Sequence, residues 1–185
     1  MASQIEICNS TIYRLNGQAI VSLSDESKEA VILNRIYNLT RQRLLRAHFW
    51  NFAVKKVELA QLITSPAFEY TYAYQLPADC LRVIRLYEPN SEWKIVGREL
   101  HTNDSTVFLE YVADITDEGL WDSVFVDLMI LKLAIDMCYA ITGSTEMLGA
   151  LRSEFSQVMR EAKQFDAMED FPRQWDNGTW YDSRL

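Results

Sequence analysis

The stretch LWDSVFVDLMILKLAIDMCYAITGS, residues 120–144, decides the fold. From Leu120 to Thr142 it reads as one helix that is apolar on nearly all sides, closed by Gly143. A helix of that kind normally lies at the centre of a bundle. Its most apolar part, Leu128 to Ile141, contains Lys132 and Asp136 and is too short to span a bilayer.

Working outward, Ser144 is placed to cap a further helix running to about Asp170, ended by Pro172. Met147, Leu151, Phe155, Val158, Ala162 and Phe165 form its apolar stripe. The last residues, Phe171 to Leu185, read as an extended arm carrying Trp175, Trp180 and Tyr181. On the other side, residues Ser3 to Leu15 read as a short helix capped by Ser3, with Ile5, Cys8, Ile12 and Leu15 at helical spacing. Asn16-Gly17 ends it with a pair suited to positive φ. After an extended Ala19 to Leu23, a long helix is expected from about Ser24 to His48. Ala30, Leu33, Tyr37, Thr40, Leu44 and Ala47 fall on one arc of it. Val31, Ile32, Leu39 and Leu45 lie outside that arc and need cover from the same chain or from a neighbouring copy.

Between the long helix and the central one, the pattern turns to period two. Tyr70, Tyr72, Tyr74 and Leu76 alternate with Thr71, Ala73 and Gln75, followed by a turn at Pro77 and Asp79. Segments Leu81 to Tyr87, Trp93 to Val96, Glu99 to Thr102 and Thr106 to Tyr111 follow, separated by Pro89-Asn90, Gly97 and Asn103-Asp104. Four or five short strands predict a small antiparallel sheet or half-sandwich. The expected class is therefore α+β, mostly helical. Residues 1–50 and 115–170 form an antiparallel helix bundle, 51–114 an inserted sheet lobe, and 171–185 the arm.

Composition narrows the function classes. Of the 185 residues, 49% are hydrophobic, which excludes disorder. Five Trp and nine Tyr suit protein interfaces or an aromatic core. The net charge of −8 runs against a protein that holds DNA by its phosphates. Cys8, Cys80 and Cys138 are odd in number and far apart, as befits free buried thiols in a reducing compartment. Glu6 and Asn9 interrupt any early apolar run, so no signal peptide is expected, and tripeptides such as Asn38-Leu39-Thr40 are chance glycosylation matches.

Chemistry-bearing patterns are missing from the sequence. His48 stands at a helix end beside Phe49 and Trp50, a packing or capping place, and His101 sits in a strand without neighbours at ligand spacing. No HExxH, GxSxG or phosphate-binding loop occurs, and Gly143 and Gly149 lack the accompanying lysine. Asp114, Thr116, Glu118 and Gly119 mimic the start of a calcium loop, but Phe125 stands where a bidentate Glu is required. No catalytic residue, metal or cofactor is expected. The basic row Lys28, Arg35, Arg43 and Arg46 has three readings. It is a solvated helix face, a phosphate contact, or the ionic partner of a neighbour's last helix through Glu161, Asp166, Glu169 or Asp170. Phe171, Trp175, Trp180 and Tyr181 read either as anchors in a partner's pocket or as aromatics folded back on their own domain.

The order of elements resembles the tail tubular protein A, or head-to-tail adaptor, family of short-tailed bacteriophages. The first matching stretch, residues 7–53, carries Asn9, Leu15, Gly17, Ile20, Ser22, Leu23, Leu44, Leu45, Trp50 and Phe52, with Asn16 as one extra residue in its turn. The second, YAYQLPADCLRVIRL, carries Leu76, Pro77 and Asp79. The third, VFVDLMILKLAIDMCYAITGS, carries Phe125, Leu133, Ala134 and Ile141. Together they cover about Ile5 to Asp170, and the arm matches no motif. The resemblance implies a helix bundle with an inserted sheet that assembles as a ring, typically of twelve copies, between the portal and the tail nozzle. The ring extends the channel through which genomic DNA passes without specific binding. It implies a C-terminal segment reaching toward the portal, and a place in the virion tail or neck after assembly in the host cytoplasm, with no membrane partner. A negatively charged channel wall would let DNA slide. The alternatives are a connector or neck protein of another tailed-phage type, a DNA-binding module using the Lys28–Arg46 helix, and a small hydrolase built on Asp or Glu.

Overall fold

The computed structural model describes residues 2–88 and 91–168. The expected arm, with Phe171, Trp175, Trp180 and Tyr181, and the turn at Pro89-Asn90 lie outside the described residues, as do Glu169 and Asp170. What is described is an α+β fold: four helices and two small antiparallel sheets.

Helix α1 (Gln4–Arg14) starts on a reciprocal cap. The Glu6 amide donates to Ser3 Oγ at 3.3 Å, and the Ser3 amide donates to Glu6 Oε2 at 2.7 Å. At its end Asn16 takes the left-handed conformation, φ 55°. Gly17 serves a different need, because a Cβ there would stand 2.8 Å from Ile12 Cγ2. Asn9 then ties down the following loop with both ends of its amide: it donates to the Ile20 carbonyl at 3.0 Å and accepts from the Ile20 amide at 2.8 Å.

Helix α2 (Lys28–Ala47) begins four residues later than expected. Ser27 is its cap, accepting from the Ala30 amide at 3.2 Å. Asp25 turns back instead and accepts from the amides of Val21 and Ser22. Leu45, expected off the apolar arc, is fully buried, while Ala47, expected on it, is exposed.

Central helix α3 (Ser123–Thr142) starts at Asp122, whose side chain accepts from the Val124 amide at 2.7 Å. Leu120 belongs to a short 3₁₀ turn before it. Gly143 closes α3 at φ 66°, and Ser144 caps α4 (Thr145–Met168) through the Met147 amide at 3.1 Å. With so short a connection, α3 and α4 form an antiparallel hairpin. Nine residues of α3 are buried, and α1, α2 and α4 all pack on it. On α4, Leu151 and Ala162 are buried, whereas Phe165, expected in the apolar stripe, is 59% exposed.

Between α2 and α3 the chain forms β1 (Val54–Glu58), β2 (Tyr72–Gln75), β3 (Cys80–Leu86), β4 (Trp93–Val96), β5 (Glu99–Thr102) and β6 (Phe108–Ala113). These make two three-stranded sheets, β1-β6-β3 and β2-β5-β4, where one sheet was expected. Turn residues reveal where strands stop but not which strands pair. Among the described residues only β4 and β5 form a tight hairpin, turning at Gly97 with φ 62°. Strand β1 escaped notice because its pattern, VKKVE, is mostly exposed and does not alternate. The buried residues of helices and sheets form a single contiguous core.

Candidate functional site

The residues singled out in the sequence fall into two groups, those the chain uses internally and those it leaves outward. Lys28 stands at the first turn of α2 and its ammonium donates to the Ala140 carbonyl near the end of α3, where exposed carbonyls favour a cation. Arg46 Nη1 donates to the Leu81 carbonyl at 2.7 Å and so clips α2 to β3. The guanidinium of Arg82 lies 4.4 Å over the Phe49 ring at the same corner. Arg35 and Arg43 are exposed, and among the described residues neither forms an ion pair. They share a row with Val31 and Leu39, 41% and 47% exposed, at a spacing of four. Such a row is one ridge of the helix surface.

Of the acidic side of the expected contact, Glu161 and Asp166 lie among the described residues. Helix α4 carries four acids (Glu146, Glu154, Glu161, Asp166) against three bases (Arg152, Arg160, Lys163). Glu154 pairs with Arg14 of the same chain at 2.8 Å. Glu161 accepts from Gln157 Nε2 at 3.0 Å. Asp166 is fully engaged at home. It meets His48 Nε2 at 2.9 Å, accepts from the Asn51 amide at 2.9 Å, and receives Asn51 Nδ2 on its own carbonyl at 2.8 Å. It is a clasp holding the last turn of α4 to the end of α2.

Sequence reasoning missed the polar centre of the fold. Arg41 is 6% exposed and makes a two-pronged contact with Asp114, Nε to Oδ1 at 2.9 Å and Nη2 to Oδ2 at 3.1 Å. Its third nitrogen donates to Asn38 Oδ1 at 2.7 Å, and Gln42 Nε2 donates to Asp114 Oδ2 at 2.9 Å. Tyr37 donates to Glu118 at 3.0 Å, and burial followed by that carboxylate raises its phenol. The two acids of the abortive calcium loop are thus both spoken for by α2. One signal did exist: Arg41 lies on the Leu33–Tyr37–Leu44 side of α2, and a charge on a buried side demands a partner.

Several other titratable groups are held in the packed interior. Burial resists ionisation of Asp79, but hydrogen bonds from Lys55 at 2.8 Å and Tyr111 at 3.0 Å outweigh it, so its carboxyl sits below the ordinary range. The same arrangement pushes the Tyr111 phenol up to about 12, burial first and Asp79 second. Burial, aided by Glu118, pushes the Cys8 thiol up to about 12, and burial raises Cys80. His101 has a carboxylate beside it after all, Glu99 Oε2 at 3.0 Å, two residues along the same strand. Among the described residues no group of three or more His, Cys, Asp or Glu is placed to hold a metal ion. No described helix is long and apolar enough to cross a membrane.

Among the described residues, concavities open at two places of note. One, of about 460 Å³, lies between the start of α3 and the end of α4 and is lined by Trp50, Phe52, Trp121, Phe165, Asp122 and Asp166 among others. The other, of about 640 Å³, crosses the sheet β1-β6-β3 at the ends of β1 and β3 and the start of β6. Val57, Tyr87 and Phe108 are exposed there, with Glu58 and Glu88 beside them. No protein-family model matches the chain, and no curated protein matches it either.

Proposed function

We propose that this chain is a structural adaptor that forms a ring between the portal and the tail nozzle of a short-tailed bacteriophage and extends the DNA channel. The observation that carries the reading is the outward ridge of α2. Val31 and Leu39 remain exposed among the described residues, so apolar surface stands open to a neighbour. The exposed Tyr87 and Phe108 on the sheet supply a second such surface. The family resemblance, carried by three packing and turn segments in the right order, supports the ring and its partners. Asp79 and Asn9, both prominent in that resemblance, fasten turns. DNA passes the ring without specific binding, as the net charge of −8 favours.

Light scattering on the purified chain, alone and with portal rings of the same phage, tests the reading. The expected result is a 21.5 kDa species that is taken up on the portal as a multimer. A chain that stays monomeric and ignores the portal overturns it. Removing residues 171–185 should leave a folded protein that no longer docks, and normal docking of that truncation would refute a portal-binding arm.

A further inference from the structure

The two uncovered surfaces are complementary to each other. The ridge on α2 alternates apolar and cationic side chains, Val31, Arg35, Leu39, Arg43. At 1.5 Å per residue it is about 18 Å long. The groove on the sheet carries three carboxylates, Glu58, Glu88 and Glu110, against two cations, Lys56 and Arg85, around apolar side chains. Tyr87 and Phe108 are its exposed apolar side chains, with Glu58, opposite Phe108 in the ladder, and Glu88 beside them. Of the other charges in the groove, Glu110 is already neutralised by Arg85, with Lys56 at 3.8 Å. Glu58 and Glu88 form no ion pair among the described residues. The charges left without an ion pair are thus cationic on the ridge and anionic in the groove.

The chain cannot bring these surfaces together by itself. Helix α2 meets β3 at Leu81 and Arg82, where Arg46 and Phe49 hold it. The groove begins at Arg85 and Tyr87, some 15 Å further along the strand direction. We propose that a second copy of this chain is the occupant: the α2 ridge of one copy seats in the sheet groove of the next. Leu39 packs against Phe108 and Tyr87, while Arg35 and Arg43 reach Glu58 and Glu88. Because the two patches differ, the contact is head-to-tail, and it repeats around a ring when the rotation closes. The inference deepens the ring-forming reading above and rests on it for closure.

Engineered cysteines test the contact, since Cys8, Cys80 and Cys138 are all buried and do not compete. Leu39→Cys and Phe108→Cys variants are mixed at millimolar concentration with an added oxidant. The expected product is a mixed disulfide dimer, and the double variant should give a ladder of oligomers on a non-reducing gel. Arg35→Glu with Arg43→Glu should cut the yield about tenfold or more, and Glu58→Arg with Glu88→Arg should restore it. The proposal is overturned by absence of the mixed product, by a Leu39→Cys variant that links only to itself, or by yields that ignore the charge reversals. Failure of the ladder while the unaltered chain still assembles on portal rings sinks this interface and leaves the adaptor reading standing. A ladder without portal uptake does the reverse.

Discussion

Removing the carboxylate of Asp114 isolates the buried guanidinium of Arg41. The Arg41 and Asp114 side chains are 7% and 15% exposed, so water compensates little for a lost partner. Asp114→Ala removes two hydrogen bonds from Arg41 and one from Gln42, all of them to an ionised acceptor. Taking one member from a buried ion pair lowers stability by about 3–5 kcal/mol, against a total of about 5–15 kcal/mol for a domain. Most of that loss comes from the cation left behind rather than from the vanished attraction. The double variant Arg41→Met, Asp114→Ala should therefore be more stable than Asp114→Ala alone by about 2 kcal/mol or more. Urea denaturation followed by circular dichroism gives the four corners of the cycle. A loss below about 1 kcal/mol for Asp114→Ala, or a double variant that shows the simple sum of the two singles, would refute the placement of this pair at the polar centre.

Three further outcomes are expected. Asp79 has a folded pKa below its ordinary value, so its stabilisation is complete above that ordinary value and is lost as pH falls through the folded one. Asp79→Asn should then be less stable than the unaltered chain at neutral pH, with the gap closing in acid; denaturation midpoints at both pH values check it. The three cysteines should be silent to a thiol reagent in the native protein and should all react once it is unfolded, which a colorimetric titration counts. Trp50 is 2% exposed, donates to the Leu44 carbonyl at 2.9 Å, and packs its ring 5.3 Å from Phe125. Trp50→Ala should lower stability by about 3–5 kcal/mol in the same urea assay.

The helices were largely legible because their signals are local. Ser3, Gly143 and Ser144 announce helix ends through groups within a turn of themselves, and the structure places each one there. The start of α2 was misplaced because Ser24, Asp25 and Ser27 are all competent caps, and the choice among them depends on Asp25 closing the loop onto Val21. Strand pairing was illegible for a related reason. Alternation shows that Tyr72 to Gln75 is a strand, but nothing within it points to β5 as its neighbour. The candidate site divides along the same line. Exposure of Arg35 and Arg43 follows from helix periodicity. The roles of Asp114 and Glu118 do not, since they answer to Arg41 and Tyr37, more than seventy residues earlier. Local spacing carried these acids only as far as a calcium loop that fails at Phe125, because spacing sees only neighbours in the chain.

The order in which the strands pair has a consequence for how the molecule is made. Val54 pairs with Val112 and Glu58 with Phe108, so β1 must wait for a segment more than a quarter of the chain away. A growing chain exposes β1 with both edges unpaired until β6 has emerged, whereas the β4–β5 hairpin can close at once. An unpaired strand of that kind invites pairing with other nascent chains. Lys55 and Lys56, side by side in β1, break the apolar run at the place where the wait is longest. In the finished protein they face Asp79 and Glu110; during synthesis the same charges keep the strand from the wrong partner.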